Sequence, residues 1–470
     1  MSFLHGVETI QVESGARAIT LVKTGVIGLV GIAPKGAVNE LKVITTERQG
    51  VDEFGEEVPG FTIPQALKAA FAQGASAVMV VNVFDPATHV TAVTDESHTI
   101  TNGKAKTTNP PVTTVTVTGT GGTPVYVEGT HFTIDQFGNI QVIDFATISE
   151  GSDIEVDYSH LDATAITDAV VIGVDTSGSR TGFKLLKESL TTFGYYPKIL
   201  ISPSYCENAP VQAEMIAQAD ALRAMAIIDA PEGTTPTVAI AGRGPSGTLG
   251  AGFQTSNKRV ILTYPYLKAY DKASDSNENR PYSQFLAGVM SATDQSLGYW
   301  YSPSNKEIKG IVGVERTLTA GINDASSEVN QLNEVAITTI YEAFGSGKRT
   351  WGNRNAGFPL ATTPDVFIPV QRVKDILNES VEFSMIQFID LPINQALIDS
   401  IRNSVNSFIR TLVLRGAIID GECTYDPADN PATSISAGHL TFNVTFMPPP
   451  PAERITFKSF IDIEILSQLT

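Results

Sequence analysis

Apolar runs alternate with helical segments through much of this chain, and this alternation restricts its fold more than any other feature. Continuous apolar runs are typical of strands that are covered on both faces. The runs are GVIGLVGIA (25–33), AVMVVNVF (77–84), TDAVVIGV (167–174), PKILISPS (197–204), AMAIIDAP (224–231) and KRVILTYP (258–265). Helices are expected between them, for example from Pro64 to Gly74. The alternation predicts an α/β fold with a largely parallel sheet.

Longer helices are expected after the last of these runs. Apolar periodicity predicts helices near 283–297 and 324–344. The second would carry apolar residues at helical spacing: Val329, Leu332, Ala336, Ile337 and Ile340. Further helices near 371–390 and 393–415 precede strands over 416–425 and 439–447, so the C-terminal part is predicted to be α+β.

Residues 88–164 differ in composition from the sequence on either side. They are rich in Thr, Val and Gly and contain short alternating runs such as TTVTVTG (113–119) and SDIEVDYSH (152–160). Short strands separated by frequent turns predict a small all-β domain inserted into the α/β fold. It holds ten acidic and two basic residues. Its aromatic residues are expected to form its core: Tyr126, Phe132, Phe137, Phe145 and Tyr158.

Both ends of the chain have the pattern of strands without a partner nearby in sequence. The C-terminal strand follows a stiff spacer of four prolines, Pro448 to Pro451. The residues assigned to these arms are Phe3, His5, Val7 and Ile10 at the N-terminus, and Ile455, Phe457, Ile461, Ile463 and Ile465 at the C-terminus. Unpaired strand edges favour pairing with another chain. We therefore expect 3–12 and 455–466 to join sheets of adjacent subunits; the alternative is that both fold back on their own C-terminal domain.

These changes of pattern divide the chain into five parts. The expected division is an N-terminal arm (1–22), an α/β core (23–87 and 165–350), an inserted outer β domain (88–164), a C-terminal α+β domain (351–454) and a C-terminal strand arm (455–470).

Charge and composition exclude several classes of function. The 470 residues include 32 Lys and Arg against 50 Asp and Glu, a formal net charge of −18. Such a chain is not expected to bind nucleic acid, because phosphate contacts require clustered Lys and Arg. The longest apolar run, 26–33, is far shorter than the ~20 residues of a membrane helix, so membrane insertion is not expected either. Two cysteines exclude a disulfide framework.

Catalytic and cofactor motifs fail one after another. GVIGLVG has the wrong glycine order for a dinucleotide loop, and GSGKRT (345–350) lacks the first glycine of a P-loop. RGPSGTLG has Thr248 where a nucleophile elbow needs glycine. No histidine lies between residues 161 and 438, so the core lacks an imidazole base. We therefore expect no enzyme activity, no metal and no cofactor.

The segment LGYWYSPSNKEIKGIVGVER (297–316) resembles the tail sheath protein of contractile-tailed bacteriophages and the sheath of R-type pyocins. Similar segments are spread along the chain: MSFLHGV at the start, Gly15-Ala16-Arg17, SGSRTGFKLL (177–186), LRAMAIIDAP (222–231), TWGNRN (350–355), RGAII (415–419) and FNVTFMPPPPAE (442–453). The resemblance extends over nearly everything except residues 88–164.

The resemblance implies a subtilisin-like α/β core without the protease triad. It also implies stacked rings of identical subunits around an inner tail tube, with baseplate and tail terminator proteins as further partners. Terminal arms add strands to sheets of neighbouring subunits, and the sheath shortens and widens to drive the tube through the host envelope. The protein would be assembled in the host cytoplasm and reside in the virion tail.

One helix offers a candidate contact with the tube. Arg402, Asn406 and Arg410 follow at four-residue intervals on a face separate from its apolar stripe. This row could meet acidic residues on the tube; the alternative is an ordinary solvated helix face. The sequence leaves two alternative functions for the chain. One is an adhesive virion protein that acts through the inserted β domain, and the other is a hydrolase, which the missing histidine disfavours.

Overall fold

A computed structural model describes residues 19–465 of the chain, apart from residues 246, 272–273, 322, 344 and 346. The first elements are strands and helices of the predicted α/β core. They are β1 (Val26–Gly31), β2 (Leu41–Ile44), α1 (Glu47–Phe54), α2 (Thr62–Gln73) and β3 (Ala77–Asn82). Helix α2 ends at Gly74, whose φ of 95° suits glycine and whose N–H bonds the carbonyl oxygens of Ala70 and Phe71.

Residues 90–161 form strands that pair only with one another. They are β4 (Val90–Thr99), β5 (Lys104–Lys106), β6 (Val112–Gly119), β7 (Val125–Tyr126), β8 (Phe132–Ile134), β9 (Asn139–Val142) and β10 (Asp153–Leu161). The described strands make two antiparallel sheets, in the orders β4-β10-β6-β7 and β5-β9-β8. Phe132 and Tyr158 are buried between them. The expectation for Phe145 is wrong, because its ring is more than half exposed.

The chain then returns to the α/β region. Its elements there are α3 (Asp168–Ile172), α4 (Ser189–Phe193), β11 (Ile199–Ile201), α5 (Ala209–Leu222), β12 (Met225–Asp229), α6 (Pro236–Ala241), α7 (Ala251–Gln254), β13 (Val260–Thr263), β14 (Leu267–Asp271), β15 (Ser276–Arg280), α8 (Tyr282–Ser296), β16 (Gly313–Val314), α9 (Glu328–Glu334), β17 (Ile337–Ala343) and β18 (Gly347–Trp351).

The central sheet has eight strands among the described residues, in the order β18-β17-β13-β12-β11-β1-β3-β2. The six inner strands run parallel, and the edge strands β2 and β18 are antiparallel to their neighbours. The predicted largely parallel sheet is confirmed. Alternate residues of each strand enter separate cores: Leu29 packs with α2 and α8 on one face, whereas Val30 packs with α5 on the other.

Two predictions of secondary structure in this region are wrong. The run 167–174 is not a strand but contains α3, which ends at Gly173 with φ 79°. The long helix predicted over 324–344 ends after α9, because Ala336 has φ 61° and the chain continues as β17. Val329 and Leu332 therefore lie on the helix, whereas Ile337 and Ile340 lie on the strand. All four side chains are buried.

The C-terminal region is α+β. It contains α10 (Ile368–Met385), α11 (Gln395–Leu414), β19 (Asp420–Thr424), α12 (Ala432–Ser436) and β20 (Asn443–Met447). The two long helices and the antiparallel pair β19–β20 enclose one apolar cluster, to which α10 contributes Ile376 and α11 contributes Phe408. The predicted helices and both strands of this region are confirmed, with shifted ends.

Ion pairs join α10 to the α/β core. The Arg372 guanidinium pairs with Asp294 at the end of α8, and both side chains are almost completely buried, at 4% and 1% exposure. Glu379 pairs with Lys198, next to β11, again with both groups buried. Since a buried charge that loses its partner is very costly, we expect these pairs to resist separation of α10 from the core.

Candidate functional site

The C-terminal arm carries an apolar face that nothing in the described chain covers. After β20, Pro448 is buried against the domain, and from Ala452 onward the chain is exposed. Phe457 is 91% exposed, Ile461 97% and Ile463 74%. Ile455 and Ile465 are also more than half exposed. Residues 451–462 form no helix or strand and residues 463–465 form a short 3₁₀ turn, so the predicted C-terminal strand is not formed among the described residues.

The N-terminal arm residues Phe3, His5, Val7 and Ile10 lie outside the described residues. The first described segment runs along α10. The N–H groups of Thr20 and Val22 donate to Ser384 Oγ and Ser380 Oγ, each over 3.3 Å. Ile19, Leu21 and Val22 pack against the apolar cluster of the C-terminal region. The described part of the chain therefore starts beside the last turns of α10.

The small β19–β20 sheet has one edge that no described strand or side chain occupies. β19 pairs with β20, and on its other side the Asn406 side chain bonds both the N–H and the C=O of Cys423, over 2.8 and 2.9 Å. β20 pairs with β19 alone among the described strands. A two-stranded sheet is marginal by itself, so the outer edge of β20 is the natural place for a further strand.

The row on α11 divides into two kinds of residue. Asn406 serves the domain's own structure, since its amide donates to the Cys423 carbonyl and accepts from the Cys423 N–H; its tube-facing role also stays a prediction. Arg410 is exposed. Arg402 is half exposed and pairs with Asp399 over 3.0 Å within the same helix. For Arg402 and Arg410 the tube-facing role stays a prediction.

The carboxyl ends of the parallel strands, where α/β enzymes place their ligands, hold a group of acidic residues. Asp229 at the end of β12 accepts hydrogen bonds from Thr263 Oγ1 (2.6 Å) and the Ser283 N–H (2.7 Å), and burial raises its pKa. Glu207 accepts a hydrogen bond from the Tyr266 hydroxyl. Among the described residues no group of three or more His, Cys, Asp or Glu side chains is placed to hold a metal ion.

The Glu207 carboxyl has a strongly shifted pKa. Burial, together with the carboxylates of Asp229, Glu232 and Glu315, raises the pKa of Glu207 to about 7, although the Tyr266 hydrogen bond acts in the opposite direction. A carboxyl whose pKa is higher in the folded than in the unfolded state stabilises the fold below its ordinary pKa. That stabilisation is lost as the pH rises through the folded-state value.

We therefore expect Glu207→Gln to be more stable than the parent protein at pH 8, by about 1–3 kcal/mol, and to lose most of this advantage at pH 5. Urea unfolding of the unassembled protein between pH 5 and 8 measures the difference. Glu188→Gln, on a partly exposed ion pair with Arg180, is the control and should show no such pH dependence. Equal stability of the parent and Glu207→Gln at both pH values would contradict the assignment.

Several assembly-related contacts could not be found from the sequence. The Asn406 amide looks like an ordinary polar helix residue, and its partner Cys423 is 17 residues away. The partners in the buried pairs of α10 are 78 and 181 residues apart, and no local pattern marks them.

Among the described helices, none combines the length and apolar character that crossing a membrane requires.

Comparison with known proteins accounts for most of the chain. A family model for the central domain of phage tail sheath proteins matches residues 178–356, and one for the C-terminal domain matches 366–462. Residues 84–171 match a family described only as a protein of unknown function. The solved helical sheath of the anti-feeding prophage in its contracted state has the same fold. It is 15% identical with a TM-score of 0.62, covering 98% of this chain and all of that one.

Two curated relatives are similar in sequence. The tail sheath protein of Escherichia phage P2 is 25% identical over 301 residues, which cover 64% of this chain and 72% of that protein. The tail sheath protein of Burkholderia phage BcepMu is 43% identical over 473 aligned positions, which cover all of this chain and 98% of that protein. The resemblance inferred from the sequence is confirmed: the chain belongs to the family of phage tail sheath proteins and is a structural subunit of a contractile tail sheath.

Proposed function

We propose that this chain polymerises around an inner tail tube through strand exchange between subunits, and contracts to drive the tube through the host envelope. The observation that carries the proposal is the uncovered apolar face of residues 455–465. The role of the chain is structural and not enzymatic. Its core is subtilisin-like but lacks the protease triad. It resides in the virion tail after assembly in the host cytoplasm, with the tube, baseplate and tail terminator proteins as partners.

Strand exchange supplies what the arm lacks in a single chain. Burying a large apolar side chain contributes about 1.5–3 kcal/mol, and five such side chains of the arm are exposed in the single chain. Ordering the arm opposes this gain. The free edge of β20 offers main-chain partners, and its pairing is largely independent of side-chain identity. We propose that arms of neighbouring subunits extend the β19–β20 sheet from this edge.

Contraction then needs no nucleotide or metal. The energy is held in an extended lattice with suboptimal contacts and released as the interfaces between subunits enlarge, which is a rigid-body transition. The buried pairs Arg372–Asp294 and Lys198–Glu379 support rigid rotation, because they join the C-terminal region to the core. The arms keep the subunits linked while the bodies turn.

Contact with the tube must be weak enough to release. Exposed ion pairs contribute only ~0–1 kcal/mol each, so repetition over many subunits would hold the register while each contact breaks easily. Arg402 and Arg410 on α11 are the candidate contacts. For the inserted domain, residues 88–164, we propose a decorating role on the outside of the sheath. Adhesion to the host is the alternative. In that case a ligand would bind at the exposed side chains of Val125, Val127 and Phe145 in this domain.

Electron microscopy of the purified chain mixed with tube protein tests this function. The parent protein is expected to form striated cylinders filled by tube. The double variant Arg402→Glu and Arg410→Glu should still form cylinders but bind tube at least ~10-fold less, since attraction to acidic groups becomes repulsion.

The control is Lys42→Glu with Arg48→Glu, which makes the same change of charge on the core. This control should co-assemble with tube normally. Normal co-assembly of the α11 variant would overturn the tube contact, and a parent protein that stays dispersed would overturn the polymer itself.

A further inference from the structure

An ion pair joins the root of the C-terminal arm to the body of the subunit. Arg354 Nε donates to Glu453 Oε1 over 2.8 Å, and Nη2 donates to Glu453 Oε2, so the guanidinium and the carboxylate meet through two parallel hydrogen bonds. The two residues lie 99 positions apart, in the segments TWGNRN and FNVTFMPPPPAE. Bidentate arginine–carboxylate pairs have a defined geometry as well as a favourable energy.

Two aromatic rings contact the Arg354 guanidinium in addition to Glu453. Its central carbon lies 3.9 Å from the centre of the Phe358 ring and 4.8 Å from that of Phe367. Cation–π contacts of this kind orient the planar group. The turn that carries Arg354 is itself fixed, because Asn355 is fully buried and its side chain donates to the Asp365 carbonyl over 2.8 Å.

The pair lies where the chain changes from packed to exposed. Upstream, Pro448 is buried and Pro451 is half-buried. Downstream, the apolar side chains from Ile455 to Ile465 are exposed. Without the pair, the last buried residue before the arm would be Pro448, and the arm would gain the freedom of up to about five residues, or ~16 Å of extended chain.

We propose that Arg354 and Glu453 form a clamp that sets the point and direction in which the C-terminal arm leaves the subunit, and that both are positioning residues for strand exchange. The inference rests on the proposed function. When the start of the arm is fixed, the arm is confined to a smaller volume. Its effective concentration at the acceptor edge of a neighbouring subunit is therefore higher. The clamp thus lowers the cost of assembly without itself touching the neighbouring subunit.

Distance measurements on the unassembled full-length chain test the clamp directly. Spin labels are placed on Ser459→Cys in the arm and Asn403→Cys on an exposed position of α11; the native Cys206 and Cys423 are buried. Below the polymerisation threshold, Arg354→Ala and Glu453→Gln should widen the distance distribution by at least about twofold. Arg354→Lys keeps the charge but cannot form the two parallel hydrogen bonds, so the width of its distance distribution should lie between those of the parent protein and Arg354→Ala. Arg180→Ala, in a separate ion pair of the core, is the control.

Sedimentation of the same variants without labels measures the consequence for assembly. Arg354→Ala should raise the threshold concentration for polymerisation ~3–10-fold, and Arg180→Ala should leave it unchanged. An unchanged distance distribution in Arg354→Ala overturns the clamp. A wider distribution with an unchanged threshold overturns the positioning role. Strand exchange has its own test, since removal of the arm must abolish polymerisation whatever the clamp does.

Discussion

Replacing Phe457, Ile461 and Ile463 with serine is expected to abolish sheath polymerisation while leaving the subunit folded. These side chains are exposed in the single chain, so their loss removes no contact within the subunit. In the sheath each would contribute about 1.5–3 kcal/mol when buried, and the lattice repeats the loss in every subunit. Sedimentation and negative-stain microscopy measure assembly; circular dichroism and thermal unfolding check the fold.

The opposite face of the arm provides the matched control. Serine at Thr456, Lys458 and Asp462 changes the same number of residues in the same segment. Because these positions alternate with the apolar ones, they would face solvent in the extended sheet, and cylinders should still form. Deleting residues 1–15 applies the same test to the N-terminal arm. Normal cylinders from both the apolar-face variant and this deletion would mean that the arms fold back on their own subunit.

Asp294→Asn is expected to destabilise the subunit by about 3–5 kcal/mol, the largest effect of any single substitution proposed for this chain. The change leaves the Arg372 guanidinium buried without a counter-charge. Its remaining hydrogen-bond partner among the described residues is the Thr24 carbonyl, over 3.3 Å, which cannot replace a carboxylate. Urea unfolding of the unassembled protein measures the loss.

Two further variants show whether the buried charge is the cause. Asp399→Asn breaks the half-exposed pair with Arg402 and should cost less than about 1 kcal/mol. Combining Asp294→Leu with Arg372→Met removes both charges and should recover much of the stability lost by Asp294→Asn. If Asp294→Asn unfolds like the parent protein, α10 is not held to the core by this pair, and the case for a rigid subunit weakens.

The sequence predictions of secondary structure failed at two places. At one, a helical and a strand pattern follow each other without a visible break, and at the other the apolar run is too short to distinguish a helix from a strand. Residues 167–174 form an apolar run that fits a buried strand, yet only five residues of it are regular and they form α3. Between 324 and 344, helical spacing joins residues of α9 to residues of β17. Ala336, with its positive φ, marks the break, and alanine gives no warning of it.

The functional residues divide in a similar way. The apolar arm was recognised because its alternation and the proline spacer are local features. The contact of Asn406 with Cys423 was missed, because a polar residue on the outer face of a helix can still reach the backbone of a strand 17 residues later. Arg354 and Glu453 stand in segments that carry the family resemblance, but their pairing across 99 residues could not be inferred from either segment.

Local order along the chain was enough to determine the α/β sheet, the β-rich character of 88–164, the lack of a histidine base in the core and the apolar character of the C-terminal arm. Each of these follows from periodicity or composition over a few neighbouring residues. The tertiary structure alone decided which charges meet inside the subunit, which edge of the β19–β20 sheet stays open and where the arm departs. Those choices depend on distances between residues far apart in sequence, which are set only when the whole chain has folded.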